Sequence, residues 1–81
     1  MKVIIGLVLL LNLIFFANAC NKWVFCANEN QKCNFSGDRQ VSYGNQGVWT
    51  YRMMSNGADC NNGNFGDPLV GVAKKCYYCS D

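Results

Sequence analysis

Six cysteines, Cys20, Cys26, Cys33, Cys60, Cys76 and Cys79, fall in the last three quarters of an 81-residue chain. A domain of about 60 residues buries only about 60% of the surface that its unfolded chain exposes, so its apolar interior is marginal and needs staples. Disulfides persist in oxidising compartments. A bridge that closes a 15-residue loop contributes about 3 kcal/mol in the chain-entropy model. Three bridges would rival the net contribution of a core this small. The cysteine count thus bounds compartment, size class and source of stability together.

The beginning of the chain agrees with that compartment. Met1 and Lys2 give a positive start, and residues 3–16 are apolar except for Gly6 and Asn12. Ala17-Asn18-Ala19 places small residues at −3 and −1 of a cleavage site, the three-part pattern of a secretory signal peptide. The apolar run is shorter than the about 20 residues that a membrane span needs. Residues 1–19 therefore read as a signal peptide and 20–81 as one secreted, disulfide-rich domain. Acylation of Cys20, as in a bacterial lipoprotein, is the weaker reading, because it leaves an odd number of cysteines.

Charge and composition exclude several function classes. Lys22, Lys32, Arg39, Arg52, Lys74 and Lys75 nearly balance Glu29, Asp38, Asp59, Asp67 and Asp81. No broad field steers the domain toward nucleic acid or anionic lipid. There is no histidine, so a mixed Cys/His zinc site and the usual base for a serine or cysteine nucleophile are both missing. Glu29 is the sole glutamate, which argues against the paired carboxylates of glycoside hydrolysis. In Cys76-Tyr77-Tyr78-Cys79 the spacer prefers strand, whereas a redox pair of this spacing normally opens a helix. The reading is a monomeric, non-enzymatic protein with structural disulfides, no metal and no cofactor.

Six cysteines allow 15 connectivities. Residues three apart on a strand face opposite ways, which assigns Cys76 and Cys79 to different bridges. Termini gain most from being tied. The arrangement favoured is Cys20–Cys79, Cys26–Cys33 and Cys60–Cys76.

No useful helical periodicity exists, and glycine and asparagine punctuate the chain every few residues. The pattern reads as all-β, a small disulfide-stapled antiparallel sheet or a compact sandwich or barrel-like module. Residues 23–26 form a first strand, 28–32 a polar turn and 33–37 a second short piece. Residues 39–43 alternate, with Val41 and Tyr43 on one face. Residues 44–47 accept positive φ and turn the chain. Residues 48–54 alternate in turn, with Trp49, Tyr51 and Met53 opposite Val48, Thr50, Arg52 and Met54. These two runs predict a hairpin. Residues 59–68 read as a loop, and 70–79 as a last strand kinked near Gly71.

Several segments together carry a resemblance. They are Cys26-Ala27-x-Glu29-x3-Cys33-x-Phe35-x-Gly37, Val41-x-Tyr43-Gly44-x2-Gly47-x-Trp49, and Cys60-x-Asn62-x2-Phe65-Gly66-Asp67-Pro68-x2-Gly71-x2-Lys74-x-Cys76-x-Tyr78. The set resembles a small secreted repeat-type domain found beside extracellular carbohydrate-degrading enzymes of bacteria and fungi, and also as a stand-alone secreted protein. The resemblance implies a compact β module with an accessory, glycan-associated role and no catalytic residue. This chain departs from the pattern in carrying Cys20 and Cys79, which suits an added staple between the ends.

The candidate binding residues follow from the hairpin. Trp49 and Tyr51, two apart on one strand face, would make a platform for the apolar face of a sugar ring, with Arg52, Asn45 or Gln46 supplying hydrogen bonds at its edge. The competing reading is that Trp49 and Tyr51 are the core, toward which aromatics are generally drawn. Asp59, Asn61, Asn62, Asn64 and Asp67 gather oxygen donors that suit calcium. The spacing of a calcium loop is absent, and Phe65-Gly66-Asp67-Pro68 reads better as a rigid turn with Phe65 inward. Lys74 and Lys75 read as a solvated strand edge or, with Lys22 or Arg52, as a basic patch for an acidic receptor or channel mouth. Asn34-Phe35-Ser36 fits the N-glycosylation pattern. Two functions follow as expectations. One is recognition of extracellular glycan through surface aromatics. The other is a toxin-like or antimicrobial effector acting on a cell-surface receptor, channel or microbial surface. An inhibitor or structural wall component is a third.

Overall fold

The computed structural model describes residues 20–81; the signal peptide expected over 1–19 lies outside them. Six strands and one short helix follow in order: β1 Trp23–Asn28, β2 Lys32–Cys33, β3 Asp38–Asn45, β4 Val48–Ser55, β5 Ala58–Asp59, α1 Asn62–Phe65 and β6 Lys75–Cys79. Four strands make one antiparallel sheet in the order β1-β6-β3-β4, and β2 and β5 pair as a second, two-stranded sheet. The all-β, disulfide-stapled class is thus what the chain adopts.

The β3–β4 hairpin is tighter than its sequence suggests. Asn45 pairs with Val48, which leaves Gln46 and Gly47 as a two-residue connection. Both have positive φ, 50° and 79°, the left-handed pair that matches the twist of the flanking strands. Asn45 Oδ1 also accepts from the Gln46 N–H at 2.8 Å. Gly44 therefore belongs to β3 and not to the turn. A Cβ there would lie 1.9 Å from the Val48 carbonyl oxygen and 2.9 Å from Trp49 Cα, so only glycine lets β4 cross at that point.

Two other expectations are corrected. The loop over 59–68 contains β5 and the one-turn helix α1. Asn61 caps that helix, its side chain accepting from the Asn64 N–H at 2.9 Å. A single turn is too short to show as periodicity. The last strand begins at Lys75, not at residue 70. Gly71 has φ +80°, and the Lys74 N–H donates to Glu29 Oε1 at 2.9 Å. That tie holds the segment to the β1–β2 connection, away from a ladder.

The core lies on one side of the large sheet. Val41 and Tyr43 of β3 and Cys76 of β6 point to it, joined by Ala27, Cys33, Cys60 and Phe65. Phe65 stacks on Tyr43 with centroids 5.0 Å apart, and the Tyr43 hydroxyl donates to Asn62 Oδ1 at 2.6 Å. Phe35, Met54 and Tyr78 close the margin. The bridges join Cys20 to Cys79, Cys26 to Cys33 and Cys60 to Cys76, spanning 59, 7 and 16 positions. These are the pairs favoured above. In the chain-entropy model they contribute about 4, 2.5 and 3 kcal/mol respectively. Two of them, Cys26–Cys33 and Cys60–Cys76, tie loops onto the Val41–Tyr43 side.

Candidate functional site: the open aromatic face

Side chains alternate across a strand, so the covered face fixes what the other face shows. Opposite Val41 and Tyr43 stand Gln40, Ser42 and Gly44. Their register partners are Met53, Tyr51 and Trp49 on β4, while Ser42 pairs with Tyr77 on β6 and Tyr77 with Phe25 on β1. Trp23, paired with Cys79, completes the set. One face of a four-stranded sheet thus collects Trp23, Phe25, Trp49, Tyr51, Met53 and Tyr77, and among the described residues no loop or helix is packed over it.

The rings touch one another. Tyr77 stands edge-on to Phe25 and to Trp49, each pair 5.6 Å apart at 76° and 79°. Trp23 leans across to Tyr51 at 5.7 Å and 43°. Edge-on and tilted contacts of this kind hold rings in place beyond what burial supplies. Between them lies a shallow cavity of about 240 Å³ lined by Trp23, Ser42, Trp49, Tyr51 and Tyr77. Phe25 is 49% exposed, Tyr51 50% and Met53 65%, whereas Trp23, Trp49 and Tyr77 are half-buried. Trp49 and Tyr51 therefore lie outside the buried core, on the open face of the sheet. Val41 and Tyr43 took the interior that the β4 aromatics were expected to compete for.

The remaining proposed contacts lie elsewhere. Arg52 pairs with Val41 and Asn45 with Val48, which puts both on the covered side of the sheet. The Arg52 guanidinium donates to the Asn64 carbonyl at 2.7 Å, and the Asn45 amide to the Ala73 carbonyl at 2.9 Å. They tie the helix and the β6 approach to the hairpin and do not edge the aromatic cavity. Gln46 is exposed at the tip of the hairpin turn, and its backbone N–H is held by Asn45. Sequence reasoning missed Trp23, Phe25 and Tyr77. The signal was present: Trp23 and Phe25 are two apart, and Tyr77 alternates with Cys76. It becomes a shared face only when β1 and β6 are known to be neighbours.

A second concavity, of about 320 Å³, opens on the other side among Glu29, Asn62, Asp67, Gly71, Val72, Ala73 and Lys74. Its charged groups are already engaged with one another. Lys74 is only 3% exposed, and its Nζ donates to Asp67 Oδ1 at 2.8 Å and to the Leu69 carbonyl at 3.0 Å, with Glu29 at 3.6 Å. The hydrogen bond to Asp67 holds the Lys74 ammonium above its usual range, against the opposing pull of burial. Burial, followed by the nearby Glu29 charge, raises the Tyr43 phenol likewise. Lys74 is therefore neither a solvated strand edge nor part of a basic patch. Lys75 is exposed, but on β6, an interior strand of the sheet.

The side chains proposed for calcium are engaged within the domain. Asn61 caps α1, Asn62 receives the Tyr43 hydroxyl, the Asn64 amide donates to the Asp59 carbonyl at 2.8 Å, and Asp67 holds Lys74. Among the described residues no group of three or more His, Cys, Asp or Glu side chains is placed to hold a metal ion. Asn34 is exposed in the connection between β2 and β3.

No model of a known protein family matches the chain, and no solved structure matches it significantly. Over 69 residues it is 35% identical to an uncharacterised protein of Acanthamoeba polyphaga mimivirus, an alignment that covers 82% of this chain and 34% of that protein. The chain thus spans about a third of the length of the relative it matches.

Proposed function

We propose that the domain is an exported, non-catalytic binding module that recognises extracellular glycan through its open aromatic face. The observation that carries the reading is the gathering of four rings, Trp23, Trp49, Tyr51 and Tyr77, round one shallow cavity on a sheet face that none of the described residues covers. Sugar rings offer patches of C–H on one side and hydroxyls at the rim. Aromatic side chains with polar tips suit both, since each has an apolar body and a hydrogen-bonding end. A contiguous exposed apolar face on a small soluble domain marks an interaction site. The leader-like residues 1–19 and the three bridges support export into an oxidising compartment.

The wild-type protein is expected to be retained on at least one immobilised polysaccharide, and Trp49→Ala or Tyr51→Ala to lose that retention while keeping the native far-UV spectrum and all three bridges. Failure of the wild type to bind any glycan across a broad array would overturn the reading.

A further inference from the structure

We propose, building on the glycan reading, that the occupant of the open face is a linear, uncharged polysaccharide lying across the strands from β1 to β4. The rings form two lines that both run in this direction. One passes from Phe25 on β1 over Tyr77 on β6 to Trp49 on β4, in two steps of 5.6 Å. The other joins Trp23 on β1 to Tyr51 on β4 at 5.7 Å. Between them the cavity is floored by Ser42, a buried residue of β3. Aromatic contact is therefore spread over the whole width of the sheet. Three strand spacings make about 14 Å, more than one pyranose ring spans. Phe25 and Tyr51, half exposed at the two margins, extend the line outward and do not close it into a pocket for a chain end.

The charge of the ligand follows from what is missing around the groove. None of its lining residues is Lys, Arg, Asp or Glu. Two charged residues share the face by register. Asp38, opposite Ser55 and accepting from its hydroxyl, lies at one end of β3, and Lys75, opposite Gly44, at the other. They flank the groove with opposite signs. A sulfated or uronate-rich polymer needs charge-assisted donors along its length, and a polycation needs the reverse. A neutral chain needs neither and suffers no desolvation of charge against this face.

The test is a ladder of neutral oligosaccharides, β-(1→4)-linked gluco-oligomers and their N-acetylated counterparts, from one sugar unit to six, titrated calorimetrically at low and high salt. Affinity should rise by more than about tenfold from the single sugar to the length that spans the sheet, then level off. Salt should leave it unchanged, since no charges are screened. Tyr51→Phe keeps the ring and should retain binding; Tyr51→Ala and Phe25→Ala should flatten the length dependence. A single sugar that binds as tightly as the longest oligomer overturns the extended-chain inference and leaves the glycan reading standing. So does preference for a sulfated or uronate polymer that is lost in salt. Concentration-dependent dimerisation of the free protein, abolished by Tyr51→Ala, would put a second copy in the groove and overturn both. Absence of binding to every glycan removes both as well.

Discussion

The two faces of the large sheet are built from the same strands and resemble each other in composition, yet they end in different environments. On the covered face Val41, Tyr43 and Cys76 are completely buried; on the other, Tyr51, Met53 and Phe25 stand about half exposed or more. Hydrophobicity does not separate them, since Trp49 and Tyr51 are larger apolar groups than Val41. What separates them is where the rest of the chain is tied. Cys26–Cys33 and Cys60–Cys76 hold the β1–β2 connection and the helical loop against Tyr43. Cys20–Cys79 ends beside Trp23 on the opposite face and, among the described residues, brings no strand or helix of its own to cover it. The described residues supply loops enough to cover one face of a four-stranded sheet. The uncovered face then has to be tolerable to water or occupied by something else, and its rings meet that need with polar tips and mutual contacts.

The largest effect should come from cutting what closes the covered face. Replacing Cys60 and Cys76 together by alanine removes about 3 kcal/mol of loop-closure stabilisation and leaves a gap beside Tyr43 that adds to the loss. Denaturant unfolding should show a chain barely folded or unfolded at 37 °C. Next in size is a matched pair of substitutions. Tyr43→Ala should cost about 3–5 kcal/mol, as large-to-small changes in a core do. Tyr51→Ala, on the open face, should cost under about 1 kcal/mol yet lose glycan retention. Equal destabilisation by the two would erase the distinction between the faces.

Gly44→Ala acts on backbone that both faces share. Its methyl group would meet the Val48 carbonyl, and the strain should cost about 1–3 kcal/mol and displace Trp49, seen as weakened binding at temperatures where the protein stays folded.

The smallest effect is on pH. Lys74 and Tyr43 both titrate above their ordinary values of 10.5 and 10.0 in the folded protein. A raised value means that the folded state holds its proton more tightly. The stability linked to each is present in full below the unfolded value and is lost as pH rises through the folded one. Unfolding midpoints should therefore fall above about pH 10, and Lys74→Met should blunt the fall while Lys75→Met leaves it in place.

Much of the fold was legible in the sequence because its strongest signals are local. Alternation in 39–43 and 48–54 fixed the hairpin, and the parity of Cys76 and Cys79 separated two bridges. Phe65 turns inward as its rigid turn implied. The missing parts depend on contacts between distant segments. Lys74 looks like any surface lysine until Asp67 and Glu29 close round it. Arg52 looks like a neighbour of Tyr51 until strand alternation is followed through to Asn64. The aromatic face itself was half legible: β4 offered Trp49 and Tyr51, but only the pairing of β1 with β6, fifty residues away in the chain, adds Trp23, Phe25 and Tyr77. The side to which Cys26–Cys33 and Cys60–Cys76 tie their loops decides that the β4 aromatics lie on the open face, a question that periodicity leaves undecided because both faces of β4 carry apolar residues.

The chain has two tryptophans, Trp23 and Trp49, and both lie on the open face. Their two indole N–H resonances, followed by NMR while a soluble neutral oligosaccharide is added, therefore report on that face directly. Both signals should move together and saturate, while the amides of Val41, Tyr43 and Cys76 stay in place. Binding that leaves both indoles unmoved and shifts the Lys74–Asp67 side instead would contradict the assignment of the aromatic face.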